Sequence, residues 1–392
     1  MATEAEALPA AVRADRRALA AIAAGHMSSD LCQGAVPALL PYLISDRGLS
    51  YARATALLLA LTVSSSVIQP LLGHASDRMQ GAWLMPAGVL VGGAGIALAG
   101  VTDSYAATLA VVIVGGIGVA AFHPEGARYV PLVAGSGAST GMGLYSVGGN
   151  AGFVVGPAVV TAGVAVFGLR GTLLVAVIPA FSALLLWSVR PRLVAAAVAK
   201  AASPMTGAEE ADDWPAFTLL SAMVVARTAV GYGLLGFVPI WFVRHLGSST
   251  GAGNAALTLL LAAGAAGTLI GGRLADRYGA RPVVIGGMAA LFPLVALLPL
   301  AGEPGAFVLC AAIGVALDAN FGITVVLAQR LLPSRPGAAS GIVLGFAFGL
   351  GGAVAAGLGV VADHSGLPAV MAALAGVAFL AFVLSLFCRV PG

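Results

Sequence analysis

The sequence predicts an all-α membrane protein with twelve transmembrane helices in two parallel six-helix halves. The composition is 59% hydrophobic and only 9% charged, with a mean hydropathy of +1.00, which excludes a water-soluble globular protein of ordinary composition. Apolar stretches of about twenty residues, long enough to cross a ~30 Å hydrocarbon core as a helix, recur twelve times. A short charged motif occurs once in each half, which indicates an internal duplication.

The elements follow in order from a polar N-terminal tail. Residues 1–17 carry acidic and basic side chains, and the apolar helix after them is too long for a signal peptide and lacks a small-residue cleavage site. We therefore expect a cytoplasmic tail. The predicted spans cover residues 18–44, 54–73, 83–102, 105–124, 138–161, 171–189, 216–242, 254–271, 283–301, 305–328, 337–361 and 367–388.

The distribution of Lys and Arg predicts the orientation of the chain. Arg227 lies within a span, and of the other basic residues only Arg47, Arg53, Arg170 and Arg244 fall in predicted outer loops. This positive-inside bias predicts that both termini are cytoplasmic, and we expect a multi-pass protein of the bacterial inner membrane. The net charge of +3 follows from the same bias and does not indicate binding to nucleic acid.

One long polar segment divides the chain. Residues 190–215 are rich in Ala, contain Pro and acidic residues and lack a spanning pattern, so we expect a central cytoplasmic loop between six-helix bundles at 18–189 and 216–389. The segment "GHASDR" (73–78) matches "GRLADR" (272–277), and further small residues match at a nearly constant offset of about 200 residues. An even number of spans in each half gives both halves the same orientation.

Ionisable residues within the spans are expected to be functional, because a charged side chain at the centre of a membrane helix costs about 2.5–3.5 kcal/mol. They fall in predicted helices 1, 4, 7 and 10, which indicates that these helices surround a central aqueous path. The residues are His26, Asp30, His123, Glu125, Arg227 and Asp318.

His26 and Asp30 are spaced i, i+4 and therefore share one face of helix 1. A carboxylate in a partly dry cavity and an imidazole can both load and release protons near neutral pH, so we predict proton coupling here. A static pair between Asp30 and Arg227 is the alternative. The sequence indicates no third ligand for a metal, and the three scattered cysteines indicate neither a metal site nor a disulfide framework.

The segment "FHPEGAR" (122–128) places three ionisable groups at the cytoplasmic end of helix 4. Pro124 removes an amide donor, so water and backbone carbonyls should be reachable there. Glu125 and Arg128 share a face if the helix resumes. They form either a structural ion pair at the helix end or part of a site where His123 and Glu125 exchange protons or hold substrate.

Arg227 is the predicted anchor for an anionic substrate, because its guanidinium stays charged and its planar fork matches carboxylate or phosphonate oxygens. Asp318 is either a second proton site or the partner of Arg227. Gln33, near the face of Asp30, and Asn150, in a glycine-rich stretch, are predicted to line the path, although most intramembrane amides bridge helices.

The duplicated motif also predicts gating contacts. Asp77 and Arg78, and likewise Asp276 and Arg277, lie in loops between consecutive helices of each half. Such charges can cap helix ends and pair across the bundle, holding one conformation until a substrate or proton shifts it.

Two sets of motifs resemble known transporters. The segments "GHASDRMQGA" and "GRLADRYGAR" resemble the loop motif between helices 2 and 3, and 8 and 9, of the major facilitator superfamily, although the first copy has Gln80–Gly81–Ala82 where glycine and basic residues are common. The segments "GHMSSDLCQG", "FHPEGAR", "VGGNAG" and "AQRLLPSR" together resemble the fosmidomycin-resistance family of exporters, over nearly the whole chain.

This resemblance implies the major facilitator fold and export of a small anionic phosphonate antibiotic, coupled to inward movement of protons. Asp318 lies outside the pattern of the family. The positions that match its recurrent residues are His26, Asp30, His123, Glu125, Arg128 and, as the basic residue of helix 7, Arg227.

Three classes of function are compatible with these features to different degrees. A drug:proton antiporter is the first, and a symporter or uniporter of a metabolic organic anion fits the same basic anchor. A membrane-embedded enzyme or sensor is disfavoured, because the sequence shows no nucleotide-phosphate loop and "GLYSVGG" has only a passing likeness to G-x-S-x-G. We expect no cofactor, and as partners a small anionic substrate, protons and the lipid bilayer. A monomer is sufficient, because the two halves complete one pathway.

Overall fold

The computed structural model describes residues 14–69, 72, 82–135, 138–201, 212–335, 339 and 342–388, and all regular structure in these ranges is helical. A 3₁₀ segment, Gly168–Ala176, precedes α6, and a π-helical segment, Ile342–Phe346, precedes α12. The α-helices are α1 Arg16–Arg47, α2 Tyr51–Ser66, α3 Leu84–Leu98, α4 Tyr105–Ala134, α5 Ala138–Phe167, α6 Val177–Ala201, α7 Trp214–Arg244, α8 Thr250–Tyr278, α9 Ala280–Leu297, α10 Glu303–Asp318, α11 Phe321–Leu331, α12 Ala347–Ser365 and α13 Leu367–Phe387.

The helices coincide with the predicted apolar segments. Each of those twelve segments contains one described helix, except that α10 and α11 share the tenth. Within the described ranges, seven helical stretches are long and apolar enough to cross a membrane, and one of them, Gly141–Ala199, contains parts of both α5 and α6. The all-helical architecture is confirmed, whereas the total of twelve spans and the division into two bundles stay predictions.

Helix α1 shows how local sequence sets an element. The Asp15 side chain accepts hydrogen bonds from the backbone N–H groups of Arg17 and Ala18, both at 3.1 Å, and thereby satisfies donors that have no partner within the helix. The helix ends where Gly48 adopts a left-handed conformation (φ 64°), which glycine reaches without steric cost.

Two elements differ from the sequence expectation. Helix α6 continues to Ala201, into the predicted loop, because alanine favours the helix over irregular structure. The tenth predicted span is interrupted at Ala319 and Asn320, between α10 and α11. Asp318 lies directly before the interruption, where its carboxylate accepts a hydrogen bond from Arg227, and the Asn320 side-chain amide donates to the carbonyl oxygen of Val284 on α9 at 3.5 Å.

Helices α1 and α7 lie at the centre of the molecule. Helix α1 packs against α4, α5, α6 and α7, and α7 packs against α8, α12 and α13. Most of both helices is buried, including their charged residues Asp30 and Arg227. The contact between α1 and α5 is close because α5 presents Gly152, where a Cβ atom would overlap the carbonyl oxygen of Met27.

Two polar contacts join α1–α6 to α7–α13 at the predicted outer side. The Asp363 carboxylate on α12 accepts hydrogen bonds from the backbone N–H groups of Tyr51 and Ala52, each at 2.9 Å, and so caps α2. The Asn254 amide on α8 donates to the Thr161 hydroxyl of α5 at 2.8 Å and to a backbone carbonyl of α1 at 3.1 Å. The first contact adds to the packing of α2 on α12, and the second adds to the packing of α5 on α8.

Candidate functional site

Helices α1 and α4 bring three of the predicted residues together around one carboxylate. The Asp30 side chain is buried, with its Oδ2 atom 3.2 Å from Nε2 of His26 and its Oδ1 atom 3.1 Å from Nε2 of His123. Gln33, nearly one turn along α1, donates from Nε2 to Oδ1 of Asp30 at 2.8 Å. We call His26, Asp30 and His123 the Asp30 cluster.

Backbone carbonyls fix the orientation of both imidazoles. Nδ1 of His26 lies 2.7 Å from the carbonyl oxygen of Tyr145, and Nδ1 of His123 lies 2.9 Å from that of Val119. A carbonyl oxygen only accepts, so each Nδ1 atom carries a proton. Each Nε2 atom therefore points at Asp30, and each Nε2···Oδ contact is a hydrogen bond only when a further proton lies within it.

The structure also supplies a third potential metal ligand, which the sequence did not indicate. The ligand atoms of His26, Asp30 and His123 all lie within 4.8 Å of one another. However, the contacts to Asp30 at 3.1 and 3.2 Å are hydrogen-bond distances. We therefore interpret the cluster as one that shares protons.

Glu125 and Arg128 form an ion pair on α4. The helix continues through Pro124 as far as Ala134, so the two side chains share a face as predicted. Nη2 of Arg128 donates to Oε1 and Oε2 of Glu125 at 3.1 and 3.3 Å. Glu125 is buried, whereas 34% of the Arg128 side chain is exposed, so water reaches the cationic end of the pair.

A charge pair with a buried arginine joins α7 to the end of α10. Nη1 of Arg227 donates to the carbonyl oxygen of Leu317 at 2.8 Å and to Oδ1 of Asp318 at 3.1 Å. The Arg227 side chain is 5% exposed and that of Asp318 31% exposed, and the guanidinium carbon lies 5.6 Å from the centre of the Phe321 ring. Arg227 therefore pairs with Asp318, while Asp30 contacts the two histidines.

The remaining predicted residues lie apart from these contacts or outside the described ranges. Asn150 is half-buried on α5, directly after the glycine that faces the Asp30 cluster. Asp77 and Arg78 lie outside the described residues, as does the side chain of Asp276. Arg277 lies at the end of α8, with its guanidinium carbon 5.2 Å from the centre of the Tyr278 ring.

Two tyrosines near the Asp30 cluster escaped the sequence reasoning. The ring of Tyr145 stacks on His26 with centroids 3.8 Å apart and an interplanar angle of 17°. Tyr232 of α7 lies within electrostatic range of Asp30. A lone aromatic residue within the glycine-rich segment "GMGLYSVGG" was the available signal for Tyr145, because such a segment leaves few large side chains to fill a helix contact.

Comparison with known proteins agrees with the resemblance found in the sequence. A model described as Major Facilitator Superfamily matches residues 22–356 and 219–392. An uncharacterized MFS-type transporter, YfnC, of Bacillus subtilis strain 168 is 30% identical over 362 residues, which are 89% of this chain and 87% of that protein. A fosmidomycin resistance protein of Escherichia coli strain K12 is 29% identical over 357 residues, with the same shares covered.

Solved structures show the same fold. A D-xylose-proton symporter has a TM-score of 0.69 at 16% identity and covers 96% of each chain. A bacterial homolog of the human lysosomal transporter Spinster has a TM-score of 0.67 at 17% identity and covers 94% of this chain and 93% of its own. The major facilitator fold predicted from the motifs is thereby confirmed.

Proposed function

Because the chain belongs to the major facilitator superfamily, whose members are membrane transporters and not enzymes, we propose that it exports a small anionic compound in exchange for protons. The proposed substrate class is that of phosphonate antibiotics such as fosmidomycin. The Asp30 cluster is the observation that carries the proposal. We further propose that the protein acts as a monomer in the bacterial inner membrane, with both termini in the cytoplasm.

The proton-coupling part of the proposal rests on the geometry of the Asp30 cluster. Without a proton in a given Nε2···Oδ contact, a nitrogen lone pair faces an oxygen lone pair, and the contact is repulsive. The closed arrangement is therefore favoured when both contacts hold a proton, and loss of the proton between His123 and Asp30 favours separation of α1 from α4. A carboxylate between two imidazoles can in this way convert proton binding into helix movement.

The substrate part of the proposal rests on Arg227. A buried guanidinium offers a fork of donors that matches the oxygens of a phosphonate or carboxylate. An arriving anion would compete with Asp318 for this fork, and the partial exposure of Asp318 gives that carboxylate a place to move. Gln33, Asn150, His123 and Arg128 are proposed as further substrate contacts.

Exchange follows if bound protons permit the conformational change in one direction only and a bound anion permits it only in the other. Protons on the Asp30 cluster favour one conformation, and an anion on Arg227 favours the other, because each binds one state better. Glu125 is proposed as a further proton site beside His123, and Asp77, Arg78, Asp276 and Arg277 as gating residues. The relative from E. coli that is named a fosmidomycin resistance protein supports the phosphonate as the substrate to test first.

The contact between Arg227 and Asp318 supports a second candidate, a symporter or uniporter of a metabolic organic anion. If the anion displaces Asp318 from Arg227, the released carboxylate loses its cationic partner and binds a proton more readily. Anion and proton would then be loaded together. Symport predicts that substrate and protons move in the same direction, whereas exchange predicts opposite directions.

The direction of proton movement in liposomes separates these candidates. Purified protein is reconstituted, a pH gradient is imposed, and the internal pH is followed after addition of fosmidomycin. Exchange predicts that the drug dissipates a gradient that is acidic on the side opposite the drug, and that Asp30→Asn abolishes this flux. Asp46→Asn, at the exposed end of the same helix, is the matched control and should retain it.

Each outcome has a distinct meaning. Proton movement together with the drug would support symport and contradict exchange. Full activity of Asp30→Asn would contradict the assignment of the Asp30 cluster. No response to fosmidomycin from folded protein would contradict the phosphonate and direct the search to organic anions.

A further inference from the structure

We propose that Tyr145 is a positioning residue that holds both imidazoles of the Asp30 cluster on the Asp30 carboxylate. The inference rests on the proposed function, because the inference specifies how the side chains of the proposed proton-coupling site keep their orientation. Tyr145 lies on a third helix, α5, and is not one of the three residues of the Asp30 cluster.

Tyr145 contacts His26 in two ways. Its carbonyl oxygen accepts the Nδ1 proton of His26 at 2.7 Å, and its ring covers the imidazole at 3.8 Å between centroids, with the planes only 17° apart. The hydrogen bond selects the tautomer, and the stacked ring prevents the imidazole from turning about its χ2 angle. Together they direct Nε2 of His26 at Asp30.

The same side chain also contacts the helix that carries the second imidazole. The Tyr145 hydroxyl donates to the carbonyl oxygen of His123 at 3.3 Å. His123 itself stands edge-on to His26, with centroids 5.1 Å apart. One tyrosine therefore contacts both α1 and α4 at the level where Asp30 lies between them.

Two glycines create the space for this arrangement. A Cβ atom on Gly126 of α4 would lie 3.1 Å from Cε2 of Tyr145, which is tighter than an ordinary van der Waals contact. A Cβ atom on Gly149, one turn after Tyr145 on α5, would meet Oδ2 of Asp30 and the imidazole of His26. The Tyr145 ring thus fits a space that neighbouring positions leave open.

Other polar groups face the cluster and must be considered in any pH experiment. Cys32 of α1 and Tyr232 of α7 lie within electrostatic range of Asp30. Glu125 and Arg128 form their ion pair on α4 beside His123. A change at Tyr145 alters none of these groups chemically, so a changed pH profile would report on the Asp30 cluster.

The test compares Tyr145→Met, which fills the space without a ring, with Tyr145→Phe, which retains the ring and loses only the hydroxyl. Tyr105→Met is the control, because Tyr105 lies at the start of α4, at the opposite end from His123, where its hydroxyl donates to the carbonyl oxygen of Arg53 at 3.1 Å. Chemical modification of His26 by diethyl pyrocarbonate, mapped by mass spectrometry, reports its orientation without any transport. The exposed His364, whose Nδ1 atom lies near a backbone carbonyl at 2.9 Å as that of His123 does, is the internal reference.

We expect Tyr145→Met to increase the modification rate of His26 about tenfold or more, which corresponds to at least 1.4 kcal/mol of lost orientation, with the rate at His364 unchanged. The pH dependence of drug-driven proton flux should shift in Tyr145→Met and stay near that of the unmodified protein in Tyr145→Phe and Tyr105→Met. Rescue by Phe identifies the ring as the positioning element.

Unchanged His26 reactivity and an unchanged pH profile in folded Tyr145→Met would overturn the inference. If Tyr145→Met does not fold, Tyr145→Leu, which also lacks a ring, carries the test, and equal His26 reactivity in the unmodified protein and in folded Tyr145→Leu would overturn the inference. Faster His26 modification in a protein that shows no proton-coupled transport would instead support the positioning role and contradict the proposed function.

Discussion

Replacing Asp318 by Asn should tighten the binding of an anionic substrate, although it removes the charged partner of the buried Arg227. The new amide would keep the size of the side chain but would no longer hold Arg227 as a carboxylate does. In the unmodified protein an anion has to displace the Asp318 carboxylate from Arg227 before it can bind. In the variant the guanidinium would be available to the anion directly. Replacing Arg227 by Lys should have the opposite effect, because the ammonium group lacks the planar fork.

The structure sets the size of this effect. The Arg227–Asp318 contact is a charge-assisted hydrogen bond of 3.1 Å, a type that contributes about 1.5–3 kcal/mol when buried, while exposed ion pairs contribute about 0–1 kcal/mol. With Arg227 buried and Asp318 31% exposed, an intermediate value of about 1–2 kcal/mol applies. At 1.4 kcal/mol per factor of ten, Asp318→Asn should lower the Kd for the anion roughly 5- to 30-fold.

Calorimetric titration of fosmidomycin into purified protein, at one fixed pH and ionic strength, measures this Kd. Glu303→Gln is the control, because Glu303 accepts a hydrogen bond from Ser248 at the exposed start of α10 and should leave the Kd unchanged. A purely structural role of the pair predicts that Asp318→Asn and Arg227→Lys both weaken binding. Weaker or unchanged binding by folded Asp318→Asn would therefore refute the competition between anion and carboxylate.

Three further predictions concern stability and conformation. Hydrogen bonds from the start of α1, and then Arg192, lower the pKa of Asp15, so Asp15→Ala should cost about 1 kcal/mol at neutral pH, and this difference should disappear as the pH falls below about 4. Gly152→Ala should destabilise the α1–α5 contact by about 1–3 kcal/mol. Asp363→Ala should remove the cap on α2, at a cost of about 0.5–2 kcal/mol. The population in which α2 and α12 are separated should therefore rise roughly 2- to 30-fold.

Thermal unfolding in detergent measures the first two predictions, and distance measurements between spin labels on α2 and α12 measure the third. Gly143→Ala is the control for Gly152→Ala, because nothing lies within 4 Å of a Cβ atom at that position of the same helix. It should be neutral or stabilising. A pH-independent effect of Asp15→Ala, equal effects of the two glycine variants, or an unchanged α2–α12 distance distribution would contradict the corresponding reasoning.

Much of the candidate site followed from one-dimensional patterns. The i, i+4 spacing placed His26 and Asp30 on one face of α1, and the same logic placed Glu125 and Arg128 on one face of α4, where they pair. Both predictions depend only on helical periodicity, which is local. The predicted fourth span ended at residue 124, whereas α4 continues through Pro124 to Ala134.

The sequence left open which charges pair between helices. Asp30 could have neutralised Arg227, but His123 contacts Asp30 and Asp318 contacts Arg227. These partners lie 93 and 91 residues apart in the chain, so their pairing depends on how the helices are rotated and shifted against one another. Tyr145 escaped prediction for the same reason, since its ring contacts α1 while its hydroxyl contacts α4.

The sequence by itself determined that this protein is a helical membrane transporter of the major facilitator superfamily, because hydropathy, charge bias and loop motifs are properties of contiguous residues. Only the tertiary structure decided that two imidazoles converge on Asp30 and that Arg227 is matched with Asp318. The physical reason is that a helix fixes which residues share its faces, whereas the packing of glycine-rich helices fixes which faces meet.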